Sequence, residues 1–403
     1  MNVYLWFETM NELVKLGGRP REQSGRDSFA RYRAQVRAAA IASLAILGSG
    51  EIDRVYCDLY DDYVVRRNQN GKYQYTFVQV KTRGKQNSNW TLGELLGINT
   101  RAKKISSKTA AQIKDSFLGK LLAHTAIFGV NCERVVFQTN VNLDDNIVNF
   151  SENISSKLFS DKYVSLVIDH YNECFKGELK AALLVGDIKI CLEKLVFETD
   201  VSYLKDPCPE FDSKARKTVY DYSEIDLRPL ELDQILLKLL DCVEKKSSGV
   251  IKDISEESID KLASIGIDDL LEVMAISKEA YALLNSGSDA KAVKSASLIQ
   301  RALGDAAQDT DTLHYCSTAK MQWDLWQRRS RHYLTPMQRA YVLDPINLII
   351  DTHVDWQGKM KLSSIQLPLQ NLLGILHADV SFSEVGEIEL LGAFFSELIK
   401  RKI

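Results

Sequence analysis

Two residues, Asn70 and Gly71, constrain this chain more than any other pair. They lie between YVVRR and KYQYTFVQVK, both rich in β-branched and aromatic residues. An Asn-Gly step so flanked is the strongest short-range hairpin signal, because a type I′ turn needs positive φ at both central residues. With that turn, residues whose numbers sum to 141 lie opposite each other, so Asp62 faces Gln79 and Tyr60 faces Lys81. Opposed residues share one face of a sheet, as do i and i+2 along a strand. Asp58, Asp62, Gln79 and Lys81 are therefore expected on one face, and Asp61 on the other.

The surrounding pattern alternates. Strands are expected over 52–56, 58–66, 72–82, 134–139 and 194–199, with helices over 91–97 and 110–128. Asp27 is the expected N-cap of a helix through SFARYRAQVRAAAIASLAIL. This mixed order predicts an α/β (α+β) domain. Proline marks its end: none occurs between Pro20 and Pro207, and then Pro207, Pro209 and Pro229 come close together. The polar stretch between them, LKDPCPEFDSKARKTVYDYSEIDLRP, reads as an irregular linker. Beyond it Leu232, Ile235, Leu236, Leu239, Leu240 and Val243 form one apolar helical stripe, and similar stripes run over 259–284, 290–303, 313–326 and 385–399. Trp323 and Trp326, three apart, read as helix packing. The expected division is an α/β domain over 1–225 and a mostly α-helical domain over 226–403.

The net charge of −3 hides an asymmetry. Residues 1–120 hold 20 Lys+Arg against 11 Asp+Glu, and the rest 31 against 43. A basic front suits a polyanion. At 45% hydrophobic and 26% charged residues, the composition excludes disorder and low-complexity classes. No apolar run reaches the ~18 residues of a membrane span, and no basic-then-apolar secretory signal opens the chain. Seven scattered cysteines without CxxC spacing argue against a disulfide framework or a zinc knuckle and for a reducing cytoplasm. The six histidines show neither HExxH nor HxH, and no phosphate-binding glycine loop or GxSxG occurs.

The hairpin face carries the chemistry. Carboxylate oxygens and an amide carbonyl are hard ligands suited to Mg²⁺, with Mn²⁺ as an alternative, and a lysine beside them can offset charge on a phosphorane. From the residues alone, Gln79-Val80-Lys81 also reads as a plain exposed strand edge and Asp61-Asp62 as turn-side acids. Gln35, on the opening helix, reads as a further ligand or as a surface polar residue. Arg83 and Lys85, then Arg101, Lys103, Lys104, Lys108 and Lys114, form a basic strip that reads either as a contact to DNA phosphates or as a solvated face.

The acid pair followed by YTFVQVKTR, with Trp90-Thr91-Leu92 opening a helix, resembles the PD-(D/E)XK restriction-endonuclease-like nucleases, in the branch that supplies effectors to bacterial anti-phage systems. SGRDSFARYRAQVRAAAIASL is similar to that family's opening helix, and RVVFQTNV and LEKLVFETD sit where its closing strands lie. The resemblance covers residues 20–225. It implies a Mg²⁺-dependent endonuclease acting on double-stranded DNA with little sequence preference. Asp62, Gln79 and Lys81 would be catalytic. Asp62, Gln79, Asp58 and the Val80 carbonyl would be the metal ligands. Gln79 stands where the broad superfamily has Asp or Glu, which implies weaker metal binding; the branch itself is similar in carrying Gln there.

In length and in its helical carboxy-terminal part the chain resembles the nuclease subunit of Lamassu-type systems. That resemblance implies an SMC-like ATPase partner, a small third subunit, and self-assembly into a homo-oligomer on release. Two alternatives remain: the effector nuclease of a cyclic-oligonucleotide (CBASS) system, and a non-catalytic DNA-binding scaffold.

Overall fold

The computed structural model describes residues 23–48, 51–85, 88–99, 109–205, 209–222, 229–252, 254–287, 289, 291–330 and 333–401. Its strands are β1 (Ile52–Cys57), β2 (Tyr63–Gln69), β3 (Lys72–Lys81), β4 (Cys132–Thr139), β5 (Leu195–Glu198) and β6 (Ser264–Gly266). Asn70 and Gly71 join β2 to β3 at φ of 54° and 82°, the two positive values the hairpin turn demands. The strand expected over 58–66 begins only at Tyr63. Residues 58–62 bend: Asp58 takes φ of 48°, and its N–H donates to the Asp62 carbonyl at 3.2 Å. Alternation holds only along extended backbone, so it does not govern Asp58.

The described residues divide into two units, one drawn from Met1–Ala39, Cys57–Arg66 and Gly71–Phe211, the other from Ala40–Tyr56, Arg67–Asn70 and Asp212–Ile403. The first unit is mixed α/β. Its strands follow the order β5-β4-β3-β2, with β3 parallel to β4 in the register Gln79↔Phe137, Val80↔Gln138 and Lys81↔Thr139, and β4 parallel to β5. Val135, Val136 and Phe137 are buried in succession, as parallel strands covered on both faces require.

Helices α1 (Gln23–Leu44), α2 (Leu92–Leu96), α3 (Thr109–Asp115), α4 (Phe117–Phe128), α5 (Asp145–Ser155), α6 (Lys162–Cys174), α7 (Val185–Glu193) and α8 (Pro209–Tyr222) occupy the chain to residue 222. Helix α1 starts before Asp27, which is therefore not its cap. The single helix expected over 110–128 breaks at Ser116, whose Oγ accepts the Gly119 N–H at 2.9 Å. A Cβ on Gly119 would lie 1.8 Å from the Ile113 carbonyl oxygen, so only glycine allows this sharp corner. The expected linker is instead partly helical. Phe211, Ala215 and Val219 are buried in α8, an i, i+4, i+8 stripe that the neighbouring prolines obscured.

The second unit is largely helical, with α9 (Pro229–Ser248), α10 (Glu256–Ala263), α11 (Ile267–Val273), α12 (Lys278–Ser286), α13 (Ala292–Leu303), α14 (Thr310–Ser330), α15 (Pro336–His353), α16 (Leu362–Leu376) and α17 (Glu387–Arg401). The stripe over 259–284 is cut by β6, which pairs antiparallel with β1 through Val55↔Ile265. In α17 every residue from Leu390 to Ile399 is buried, which makes it a central helix enclosed on all sides. Trp323 and Trp326 stack at 4.8 Å inside this core, at 1% and 6% exposure, so they serve packing. Helices α14 and α17 meet at Gly392, where an added Cβ would lie 2.0 Å from the Ala319 carbonyl oxygen and 2.7 Å from Trp323 Cβ. Gly392→Ala is therefore expected to destabilise the chain by about 1–3 kcal/mol or more, read as a lower midpoint in chemical denaturation. No described helix is long and apolar enough to cross a membrane.

Candidate active site

Asp62 is the centre of the site. Sitting in the bend before β2, it sends its carboxylate to β3: Oδ2 accepts the Val80 N–H at 2.6 Å and lies 3.2 Å from Lys81 Nζ. Oδ1 accepts Gln35 Nε2 from α1 at 2.7 Å. The helix glutamine is thus not a lone surface residue: through its Nε2 it orients the acid, a bond that leaves its carbonyl oxygen unengaged. The Asp62 side chain is 14% exposed and that of Lys81 24%. Burial lifts the Asp62 carboxyl above its usual value. The Lys81 ammonium and the Val80 N–H pull it back only in part, and the Asp61 carboxylate opposes them.

The neighbouring acid has a different task. Asp61 Oδ1 accepts the Asp62 N–H at 3.0 Å, and Oδ2 contacts His124 Nε2 of α4 at 3.1 Å. The His124 ring lies flat on Phe77 of β3 at 4.2 Å. Asp61 therefore turns inward to brace the bend. Sequence spacing gave no hint of His124, which lies far from Asp61 along the chain. Asp58 is exposed in the same bend.

Gln79 supplies the test of whether these residues fit a divalent cation. Its side chain is buried, and its Oε1 has no hydrogen-bond partner among the described residues. A buried carbonyl left unpaired costs about 1–3 kcal/mol, and a hard cation is a natural partner for it. No group of three or more His, Cys, Asp or Glu side chains is placed to hold a metal ion among the described residues. The donor set is therefore poor in charge: one carboxylate, one amide carbonyl and the backbone carbonyl of Val80, which already receives Lys81 Nζ at 3.3 Å. These residues fit a weakly held Mg²⁺ or Mn²⁺ that keeps several waters.

Beside this cluster opens a cleft of about 780 Å³, lined by Arg31, Gln35, Arg37, Lys81, Arg83 and Lys85 among others, with Trp90 and Phe117 on its wall. Lys85 is exposed there. Arg83 is not available in the same way: its guanidinium donates to Ser88 Oγ at 2.9 Å and to Glu94 Oε1 at 2.6 Å. Arg101, Lys103, Lys104 and Lys108 lie outside the described residues. Lys114 pairs with Glu178 at 2.9 Å.

Residues 23–247 match a family model described as "Cap4, dsDNA endonuclease domain". The chain belongs to that family. It therefore carries a nuclease domain of the Cap4 type, over more than half its length. This corrects the Lamassu resemblance. With it fall the SMC-like ATPase, the small third subunit and the self-assembly on release, all of which rested on length and helical content alone. Among curated proteins, none matches the chain. Among solved structures it is similar to the Acinetobacter baumannii Cap4 SAVED/CARF-domain containing receptor with the cyclic trinucleotide 3′3′3′-cAAA, at 12% identity over 73% of this chain and 61% of that one, TM-score 0.35. The same receptor with 2′3′3′-cAAA matches at 11% identity over 73% and 58%, TM-score 0.35. A third structure of that receptor matches at 11% over 73% and 60%, TM-score 0.35. The chain thus spans about 60% of the receptor's length.

Proposed function

We propose that this chain is a metal-dependent endonuclease that cuts double-stranded DNA with little sequence preference, as the effector of an anti-phage system. One observation carries the reading: in a chain of the Cap4 nuclease family, a part-buried aspartate is bonded to Lys81, two residues after Gln79, whose buried carbonyl lacks a partner, and Lys81 lines a cationic cleft. When bound, a divalent cation would supply Lewis-acid stabilisation of charge on the scissile phosphate. Asp62, Gln79 and the Val80 carbonyl would hold it. Lys81 offsets negative charge that develops in the transition state and can hold a proton at Nζ. Gln35 fixes the Asp62 rotamer, so no reorientation is needed as charge builds. The cations lining the cleft hold a duplex by its phosphates, which carry no sequence information.

The switch, in the same reading, is a cyclic oligonucleotide. The Acinetobacter receptor is solved with cyclic trinucleotides, and gating by such a ligand takes the place of release by partner subunits. The test is plasmid nicking by the full chain in Mg²⁺ or Mn²⁺, with and without cyclic triadenylate, and with chelator added. Nicks are expected only with metal, and faster with the trinucleotide. Cutting that persists in excess chelator would overturn the metal assignment, and a rate indifferent to any cyclic oligonucleotide would overturn the switch.

A further inference from the structure

Arg83 follows the catalytic lysine by two residues and points along the cleft wall, so its simplest role is a phosphate contact. Its surroundings say otherwise. Nη1 donates to Ser88 Oγ at 2.9 Å. Nη2 donates to Glu94 Oε1 at 2.6 Å. The guanidinium carbon lies 3.9 Å from the centre of the Trp90 ring. Nε is buried. Both terminal nitrogens and one face of the plane are thus already engaged.

Each partner is itself anchored. Glu94 closes a capping box with Thr91 at the start of α2, accepting the Thr91 N–H at 2.9 Å. Trp90 donates its indole N–H to Thr139 Oγ1 at 2.9 Å, and Thr139 is the register partner of Lys81. The Arg83 backbone is gripped as well. Its N–H donates to Asn140 Oδ1 at 2.9 Å, and its carbonyl accepts Asn140 Nδ2 at 2.9 Å. One amide side chain thus continues the β3–β4 ladder for one step beyond its end.

We propose that Arg83 is a positioning residue: a fixed post that ties the end of β3 to α2 and to the end of β4, and so holds Lys81 in register and Lys85 toward the cleft. It acts through its planar fork and its stack on Trp90 rather than through its charge. The contact with DNA phosphates falls to Lys85, Arg31 and Arg37. The inference rests on the nuclease reading for its effect on cleavage, but not for the clamp itself.

Arginine and lysine separate these roles, since lysine keeps the charge and loses the fork and the stack. Arg83→Lys in the full chain is expected to cut plasmid DNA ~10–100-fold more slowly, because a misplacement of about 1 Å costs rates of that order. Binding to a 30-base-pair duplex should keep the wild-type dependence on salt. Amide exchange over Trp90 and Leu92–Leu96 should quicken. Glu94→Gln is the second variant, for the case in which Arg83→Lys folds poorly. Electrostatics alone predicts that removing an acid beside the cleft tightens DNA binding; the clamp predicts slower cleavage with faster exchange. Lys85→Ala is the control, expected to lower the slope of log K against log salt by ~0.9. Arg83→Lys with wild-type exchange overturns the clamp, and so does a loss of ~0.9 in salt slope on Arg83→Ala. If the wild-type chain neither binds nor cuts DNA, the nuclease reading fails, and the exchange experiment still decides the clamp.

Discussion

Replacing Lys81 with alanine is expected to lower the rate of plasmid nicking by about 10²–10³-fold or more, the usual cost of removing one charged donor aimed at a developing anion. The fold should survive. Lys81 ends β3, its side chain is 24% exposed, and its backbone register with Thr139 needs no side chain. What the substitution removes is the ammonium 3.2 Å from Asp62, which is one of the influences pulling that carboxyl down. The acid should therefore titrate still higher in the variant. Single-turnover nicking at saturating Mg²⁺, alongside circular dichroism, separates lost chemistry from lost structure. A variant that folds and cuts at the wild-type rate would sink the assignment of the site.

Asp62→Asn should abolish cleavage and, at neutral pH, raise stability. Burial lifts the folded-state pKa of Asp62 above its unfolded value of 3.8, by more than Lys81 and the Val80 N–H restore. A carboxyl shifted in this direction favours folding while it is protonated, below the unfolded pKa, and that contribution is lost as pH rises through the folded pKa. At pH 7 the charge is a net burden on the fold. Asparagine keeps an acceptor for the Val80 N–H and removes the burden. The thermal midpoint of the variant should exceed that of the wild type at pH 7, by about 1–2 °C per kcal/mol recovered in a chain of this length, and the difference should vanish below about pH 4. A variant less stable than wild type at pH 7 would mean that the Gln35 and Lys81 contacts outweigh the burial of charge.

The hairpin was legible because Asn70-Gly71 is a local signal: its two positive φ values depend on those two residues alone. An alternating run likewise marked β3, and a β-branched and aromatic run marked β4. The aspartates of DLYDD disfavour a strand, but the course of the bend at 58–62 was not legible, because it is set where Asp61 finds His124 and Asp62 finds Val80 and Gln35. Those contacts belong to tertiary structure, and they decide which of two adjacent acids faces the site. Parity grouped Asp62 with Lys81, to which it is bonded, and gave Asp58 a place in a strand it does not occupy. The clamp around Arg83 was hidden for a related reason, since Asn140 lies far along the chain and looks like any loop asparagine. The whole-chain likeness misled because length and helical content are shared by unrelated regulators.

The order in which the chain visits its two units limits how either can be studied. It passes from one to the other five times between its ends, and one edge of β1, in the first sixty residues, pairs antiparallel with β6. Val55 and Ile265, register partners and both fully buried, are separated by the entire nuclease sheet. No single cut therefore excises the nuclease whole. A fragment ending at residue 225 would keep Asp62, Gln79 and Lys81 yet expose the β1 edge to water and to other strands. Silence or stickiness in such a fragment would report a torn sheet, not a missing switch, and point substitutions in the intact chain are the informative route.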